Sequence, residues 1–427
     1  MPGWVPAAKE EDVTMAPRLP ELTIFAAVPA GRTADGRLLL DDKFASGMAL
    51  HAQHWQGPVR AVMRDMGEGA LPFASTVDPA RLNFEVTLVA ADLPLDQALR
   101  DGPGLVLLSA DVVEQLPLCA AARARGLKVV VGIEYTLETR LRIARLDRER
   151  NLPRRLWSML WNLRQERHRR AALRGADAIQ LNGFPAEADY ARLNPQPLRY
   201  LDNRMAADML AVDAEMAQRR QRHAERQPLR LIHSGRLEPM KGGHLLIPLA
   251  RALRQAHVPY TLDIYGAGSL VDEIRRDIAR SDLAGHVRLH PAVPFETGLV
   301  PISRSQADVF VSCHVQSDPS CTYLEAMGCG LPVVGFANRM LAALVKDSQA
   351  GWCAPMGDVQ AMAALIARLE QDRPAVQAKA EAGLAYARRH DFGIEFDARM
   401  RHLAQVINRP GAGRAVSAPP QHVPAGS

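Results

Sequence analysis

ADVFVSCHVQSDPSCTYLEAMGCGLPVVGF, residues 307–336, places two apolar-rich runs, ADVFVS at 307–312 and LPVVGF at 331–336, on either side of a polar loop and a short helical run. Strands whose hydrophobicity is continuous rather than alternating are buried on both faces, as in parallel sheets covered by helices. Within 317–335 a Pro-Ser start, a helix carrying Glu325 and a Gly-x-Gly stop lead into the second run, giving a loop, helix and strand at the carboxyl end of a strand. Ligands collect at such places in open α/β sheets.

The same alternation extends outward. LRLIHS (229–234), YTLDIY (260–265) and HVRLH (286–290) read as further strands with helical patterns between them. An earlier series comprises 22–28, 59–63, 85–90, 104–108, 127–133 and 176–182, again with helical stretches such as 111–125. A chain of 427 residues exceeds what one core supports, so two α/β domains with parallel sheets are expected. Residues 20–205 form the first and 229–389 the second, joined by a polar helical connector over 206–228 and followed by a last helix over 390–408. Residues 1–19 and 409–427 are rich in Pro, Ala and Gly without periodicity and read as disordered tails, with Met15 an alternative start.

Composition narrows the class. With 48% apolar and 23% charged residues the chain is globular rather than disordered or fibrous. Its five cysteines, Cys119, Cys313, Cys321, Cys329 and Cys353, are odd in number and form no Cys-x-x-Cys pair, which suggests neither a disulfide framework nor a zinc site. The histidines lack metal-ligand spacing, and His51 and His54 read as surface residues. No apolar run is long enough to cross a bilayer and no basic, then hydrophobic, leader opens the chain, so a cytoplasmic protein is expected.

Two stretches bear candidate chemistry. In HSGRLEPMKGGHLLIPLARAL, residues 233–253, a strand ends at Ser234, Arg236 and Lys241 flank a Pro-containing loop, and a helix opens near Gly242. Unpaired N–H groups, a forked guanidinium and a point-charge ammonium suit a diphosphate; the alternative is two solvated cations beside a turn. In 317–335, Glu325 can accept both hydroxyls of a ribose, and the N–H groups of Ser320, Cys321 and Thr322 can face a phosphate or sugar. A plain capped helix with an exposed Glu is the other reading.

Taken together, GRLEPMKGG, YGAGSLVDEI, the stretch from Ala307 to Val334 and GWCAPMGDVQAMAALIARL resemble, in order and spacing over roughly 229–370, the C-terminal domain of glycosyltransferase family 4. The resemblance implies the GT-B architecture: two facing Rossmann-like domains with parallel sheets and a C-terminal helix that crosses back to the first domain. It also implies transfer of a sugar from a nucleotide diphosphate with retention of configuration. On this reading the second domain binds the nucleotide-sugar and the first the acceptor. Arg236 and Lys241 are then the catalytic residues on the diphosphate, Glu325 holds the ribose, and Gly235 and Gly266 complete the donor-binding turns. In the more loosely matching first half, Gly31 approaches the donor phosphates and Glu134, just past a strand in VVVGIEYT, faces the cleft from the acceptor side.

The chain departs from the family's pair of glutamates separated by seven residues. Ser317 stands where the first should be, and Asp318 is one place off. In relatives that first acid meets the donor sugar, so a one-residue shift would be needed to bring Asp318 in. No carboxylate nucleophile stands out; the resemblance implies instead a front-face route in which the departing diphosphate takes the acceptor proton. The cation pair neutralises the diphosphate, so neither a metal nor any cofactor beyond the nucleotide-sugar co-substrate is expected.

Twelve arginines lie between Arg140 and Arg174, and Leu152, Leu156, Met159, Leu160 and Leu163 recur at helical spacing with Trp157 and Trp161 alongside. A basic amphipathic helix bearing Trp suits an anionic membrane surface, which would make the acceptor lipid-linked and the protein peripheral on the inner face of the cell membrane. The alternative is a domain helix burying its Leu stripe; nucleic acid is not expected, since no binding fold accompanies the charge. A dehydrogenase is disfavoured because Val271 stands where a third Gly would follow Gly266 and Gly268. A nucleotide-sugar epimerase and a non-catalytic nucleotide-sugar-binding protein remain as competing functions.

Overall fold

The computed structural model describes residues 18–67, 74–147 and 151–409. Most of both expected tails therefore lies outside the described residues. The first half contains β1 (Glu21–Phe25), β2 (Gly31–Arg32), β3 (Leu38–Asp41), β4 (Val59–Arg64), β5 (Ala74–Val77), β6 (Glu85–Val89), β7 (Gly104–Ser109), β8 (Lys128–Ile133), β9 (Ala178–Asn182) and β10 (Pro197–Tyr200). Seven of these form one parallel sheet in the order β10-β9-β8-β7-β1-β4-β6, and β2, β3 and β5 form a small antiparallel sheet beside it.

The second half supplies β11 (Leu229–Ser234), β12 (Tyr260–Tyr265), β13 (Val287–His290), β14 (Val309–Ser312), β15 (Val333–Phe336) and β16 (Gly351–Ala354). They make a six-stranded parallel sheet in the order β13-β12-β11-β14-β15-β16. In both sheets the strand order reverses beside the first strand, at β1/β7 and at β11/β14. Such a reversal parts the loops on its two sides and opens a crevice outside the carboxyl ends of the strands.

Why these segments are strands is visible in their burial. Leu231, Ile232, Val309, Phe310, Val333 and Val334 are all within 2% of complete burial, so both faces of β11, β14 and β15 are covered. The last helix, Phe392–Asn408, starts on an Asp391 side chain that accepts from the Ile394 amide. It buries Phe396, Met400, Leu403 and Val406 in the first domain, among Leu22, Ala61 and Val130. At about 2 kcal/mol for each such side chain, this packing fastens the end of the chain to the domain where it began.

The connector differs from the polar helix expected from Ala206 to Arg226. The helix runs Asp213–Ala224, and the segment before it buries Leu201, Met205, Leu210 and Ala211 in the second domain's core. Arg219 on this helix is fully buried and donates to the carbonyls of Ala307, Arg304, Cys329 and Gly330, which satisfies a charge that composition alone places in water.

The two domains touch along the crevice. Arg339 forks onto Asp189 at 2.6 and 3.1 Å and reaches Glu138 at 3.1 Å, while Arg142 donates to the Val315 carbonyl.

Candidate functional site

The site is built on the two loops at the β11/β14 reversal. After β11, a 3₁₀ turn over Pro239–Lys241 ends at Gly242 with φ 70°. A Cβ on Gly242 would lie 1.7 Å from the Cys313 carbonyl oxygen, so only glycine lets this loop close against the end of β14. Gly266, after β12, is similarly pressed on Gly235, whose oxygen would lie 2.0 Å from an added Cβ. These approaches set Lys241 inside the crevice, where its ammonium donates to Asp318 Oδ2. Both side chains are buried, and Asp318 Oδ1 has no hydrogen-bond partner among the described residues. Arg236 stands exposed at the rim. Burial, with the charges of Lys241 and Arg236 near it, holds His314 well below the usual imidazole range, so the ring is neutral.

The loop after β14 brings the remaining second-domain residues. Ser320 and Thr322 hydroxyls bond each other at 2.8 Å, and the amides of Ser320, Cys321 and Thr322 donate to no carbonyl among the described residues. Glu325 is buried on the following helix, Thr322–Gly328. Its carboxylate takes a two-pronged contact from Arg204, Nε at 2.7 Å and Nη2 at 3.0 Å, and the Arg204 guanidinium lies 3.9 Å over the Phe295 ring. Ser317, at the position of the family's first acid, instead turns its hydroxyl to accept from the Arg339 amide at 3.2 Å. The acid that meets the catalytic-candidate lysine is thus Asp318. Arg204 was absent from the sequence-derived set, because a single Arg in LDNRMAAD carries no motif.

From the first domain, Asp111 accepts from the Glu134 and Tyr135 amides at 2.8 and 3.1 Å and is itself gripped by Arg140. This fixes Glu134 past the end of β8. Burial, then the nearby charges of Asp111, Asp202 and, across the crevice, Asp318, push its carboxyl up to about 7. Gly31 lies in the small antiparallel sheet, where an added Cβ would meet the Gly67 carbonyl oxygen at 2.2 Å, a packing constraint within the first domain. Lys241, Asp318, Glu325, Cys321 and Glu134 are brought to one crevice, with Arg236 at its rim. Ser317 serves a helix start and Gly31 a backbone approach.

The Glu134 shift has a measurable consequence. Between pH 4.5 and about 7 the folded chain keeps this proton while the unfolded chain loses it, so stability falls as pH rises through that window and levels off above it. Glu134→Gln removes the slope. Urea melts of the two proteins should differ by roughly 3 kcal/mol more at pH 7.5 than at pH 4.5, in the variant's favour. A difference independent of pH contradicts the assignment.

A sequence profile for glycosyl transferases group 1 matches residues 215–388, the part of the chain that holds Arg236, Lys241, Asp318 and Glu325. The chain is 29% identical over 208 residues to the amylovoran biosynthesis glycosyltransferase AmsK of Erwinia amylovora, which covers 47% of this chain and 49% of that protein. It is 27% identical over 174 residues to the putative colanic acid biosynthesis glycosyltransferase WcaL of Salmonella typhimurium, covering 39% and 42%. The matched stretch thus spans about half the length, or less, of these curated relatives. The structure superposes on Anabaena Alr3699/HepE, solved in complex with UDP, with a TM-score of 0.61 at 15% identity, covering 91% of this chain and 100% of that one. That likeness is one of fold: the two facing parallel sheets and the returning last helix make a GT-B architecture.

Proposed function

We propose that the chain is a retaining glycosyltransferase of family 4 that moves a sugar from a nucleotide diphosphate to a saccharide acceptor in cell-surface polysaccharide assembly. The observation that carries this reading is the convergence, at the β11/β14 crevice, of Lys241, the unpaired amides of Ser320, Cys321 and Thr322, and Glu325 on one helix. A pyrophosphate meets the ammonium, the amides and Arg236 from the rim; the ribose diol meets Glu325. Asp318, with one oxygen on Lys241 and the other buried and unpartnered, takes the place of the missing first acid toward the donor sugar's hydroxyls. The acceptor enters from the first domain past Glu134.

As the bond from the anomeric carbon to the phosphate oxygen breaks, negative charge grows on the leaving diphosphate. Lys241, Arg236 and the amides stabilise that charge from around the crevice. The acceptor hydroxyl attacks from the same face and its proton passes to a phosphate oxygen of the departing group, which preserves configuration. The two cations do the neutralising work that a divalent ion would otherwise supply. The similarity to the amylovoran and putative colanic acid biosynthesis glycosyltransferases, and the UDP bound in the Anabaena structure, support the donor class and the setting. Incubation with labelled UDP- and GDP-sugars and saccharide or lipid-linked acceptors, in EDTA, tests the reading: label should appear on an acceptor. An epimerised free nucleotide-sugar, or donor binding without transfer to any acceptor, contradicts it.

The helix Leu152–Gly175 favours a lipid-linked acceptor at the inner face of the cell membrane. Its C-terminal half buries Glu166, Arg169, Ala172 and Leu173, but Leu152, Trp157 and Leu160 are 71, 65 and 66% exposed beside Arg154 and Arg164. An apolar and basic half-helix of this kind inserts its rings and leucines among acyl chains while its guanidinium groups meet anionic headgroups. No helix among the described residues is long and apolar enough to cross a membrane. In flotation, vesicles with anionic lipid should carry the protein at low salt and Trp157→Glu/Leu160→Glu should stay behind; indifference to lipid charge contradicts the docking.

A further inference from the structure

Glu325 is buried to 6% side-chain exposure, yet the cation paired with it, Arg204, is 46% exposed. Two other buried acids of this domain, Asp308 and Glu370, are paired with Arg222 and Arg373, whose side chains are only 11 and 4% exposed, so in those pairs both partners are buried. In the Arg204 pair one partner instead stays half exposed. Arg204 is also presented from a fixed backbone. Its neighbour Asn203 is buried and bonds the Leu201 and His390 carbonyls, and Met205 accepts from the Phe392 amide at the head of the last helix. The guanidinium plane is pinned on one face by Phe295 at 3.9 Å.

We propose that Arg204 is a positioning residue of the donor site, gripping both oxygens of Glu325 so that the carboxylate is presented to the ribose diol of the nucleotide. This rests on the reading of Glu325 as the ribose-binding group. A forked guanidinium engages one lone pair on each carboxylate oxygen and leaves another on each for an incoming hydroxyl. The other close neighbour, Cys321, has its thiol pushed up to about 12 by burial and by Glu325, so it stays S–H and adds no competing charge. Lysine could neutralise Glu325 but, as a point charge, could not set its plane.

The test is calorimetric titration of the full chain and of Arg204→Met, Arg204→Lys and Glu325→Gln with UDP, GDP and their 2′-deoxy counterparts. The wild type should prefer the ribonucleotide it binds over its deoxy form by about tenfold or more, the weight of a hydrogen bond to a charged group. Both Arg204 variants and Glu325→Gln should compress that preference to within about threefold, by weakening the ribonucleotide while leaving the deoxy form nearly unchanged. A preference retained in both Arg204 variants, or an equal loss for ribo and deoxy forms, overturns the positioning role and leaves the donor site standing. Binding of neither ribonucleotide by the wild type overturns the donor reading itself, and this role with it.

Discussion

Lys241→Ala lowers sugar transfer by about two to three decades and destabilises the protein as well. The rate loss is what removal of one preorganised donor of positive charge costs when charge develops on a leaving group. The stability loss follows from the partner. Lys241 is buried against Asp318, and deleting the ammonium leaves a buried carboxylate with neither oxygen paired. Breaking a buried pair on one side costs about 3 kcal/mol or more, whereas removing both partners costs far less. Lys241→Ala/Asp318→Ala should therefore recover most of the stability and none of the activity, read by urea melts beside kcat/KM on a nucleotide-sugar. Near-normal turnover in either variant contradicts the role given to Lys241. Equal stability of the single and double variants contradicts the pairing.

Gly242→Ala should be worse for the fold than any other single methyl added near the site. Its φ of 70° is the left-handed region, which costs a residue with a Cβ about 1 kcal/mol, and the new methyl would sit 1.7 Å from the Cys313 oxygen. The obstacle is backbone at the end of β14, so relief requires moving the strand that leads into the donor loop. We expect a loss of about 4 kcal/mol and a fall in Tm of roughly 10 °C, together with lost nucleotide binding. Calorimetric melting checks it. A variant that melts with the wild type shows that the two loops do not close as described.

The parallel sheets were legible because their strands are short apolar-rich runs between helical patterns, with VFVS and LPVVGF carrying too many apolar residues to face water on either side. β2, β3 and β5 were not, being two to four residues long and partly exposed, and neither was β10, whose residues PLRY alternate too briefly to register. The connector misled because Arg219 counts as polar in any composition reading, while four carbonyls at the ends of neighbouring elements make it a buried residue. The candidate donor residues Arg236, Lys241 and Glu325 were picked out through the resemblance of the whole 229–370 stretch, since two cations beside a turn and a Glu on a short capped helix are ordinary features by themselves. The Ser317 and Asp318 question could not be answered by counting, since it turns on which way a loop presents two adjacent side chains. Arg204 was beyond reach because its partner lies 121 positions away.

In a crystal structure with UDP bound, the pyrophosphate should lie within hydrogen-bond reach of Lys241 Nζ and the amides of Ser320, Cys321 and Thr322, with the ribose on Glu325. Nucleotide lying elsewhere, for instance in the groove of about 780 Å³ lined by Cys119, Arg123, Gln165 and His168 in the first domain, contradicts it.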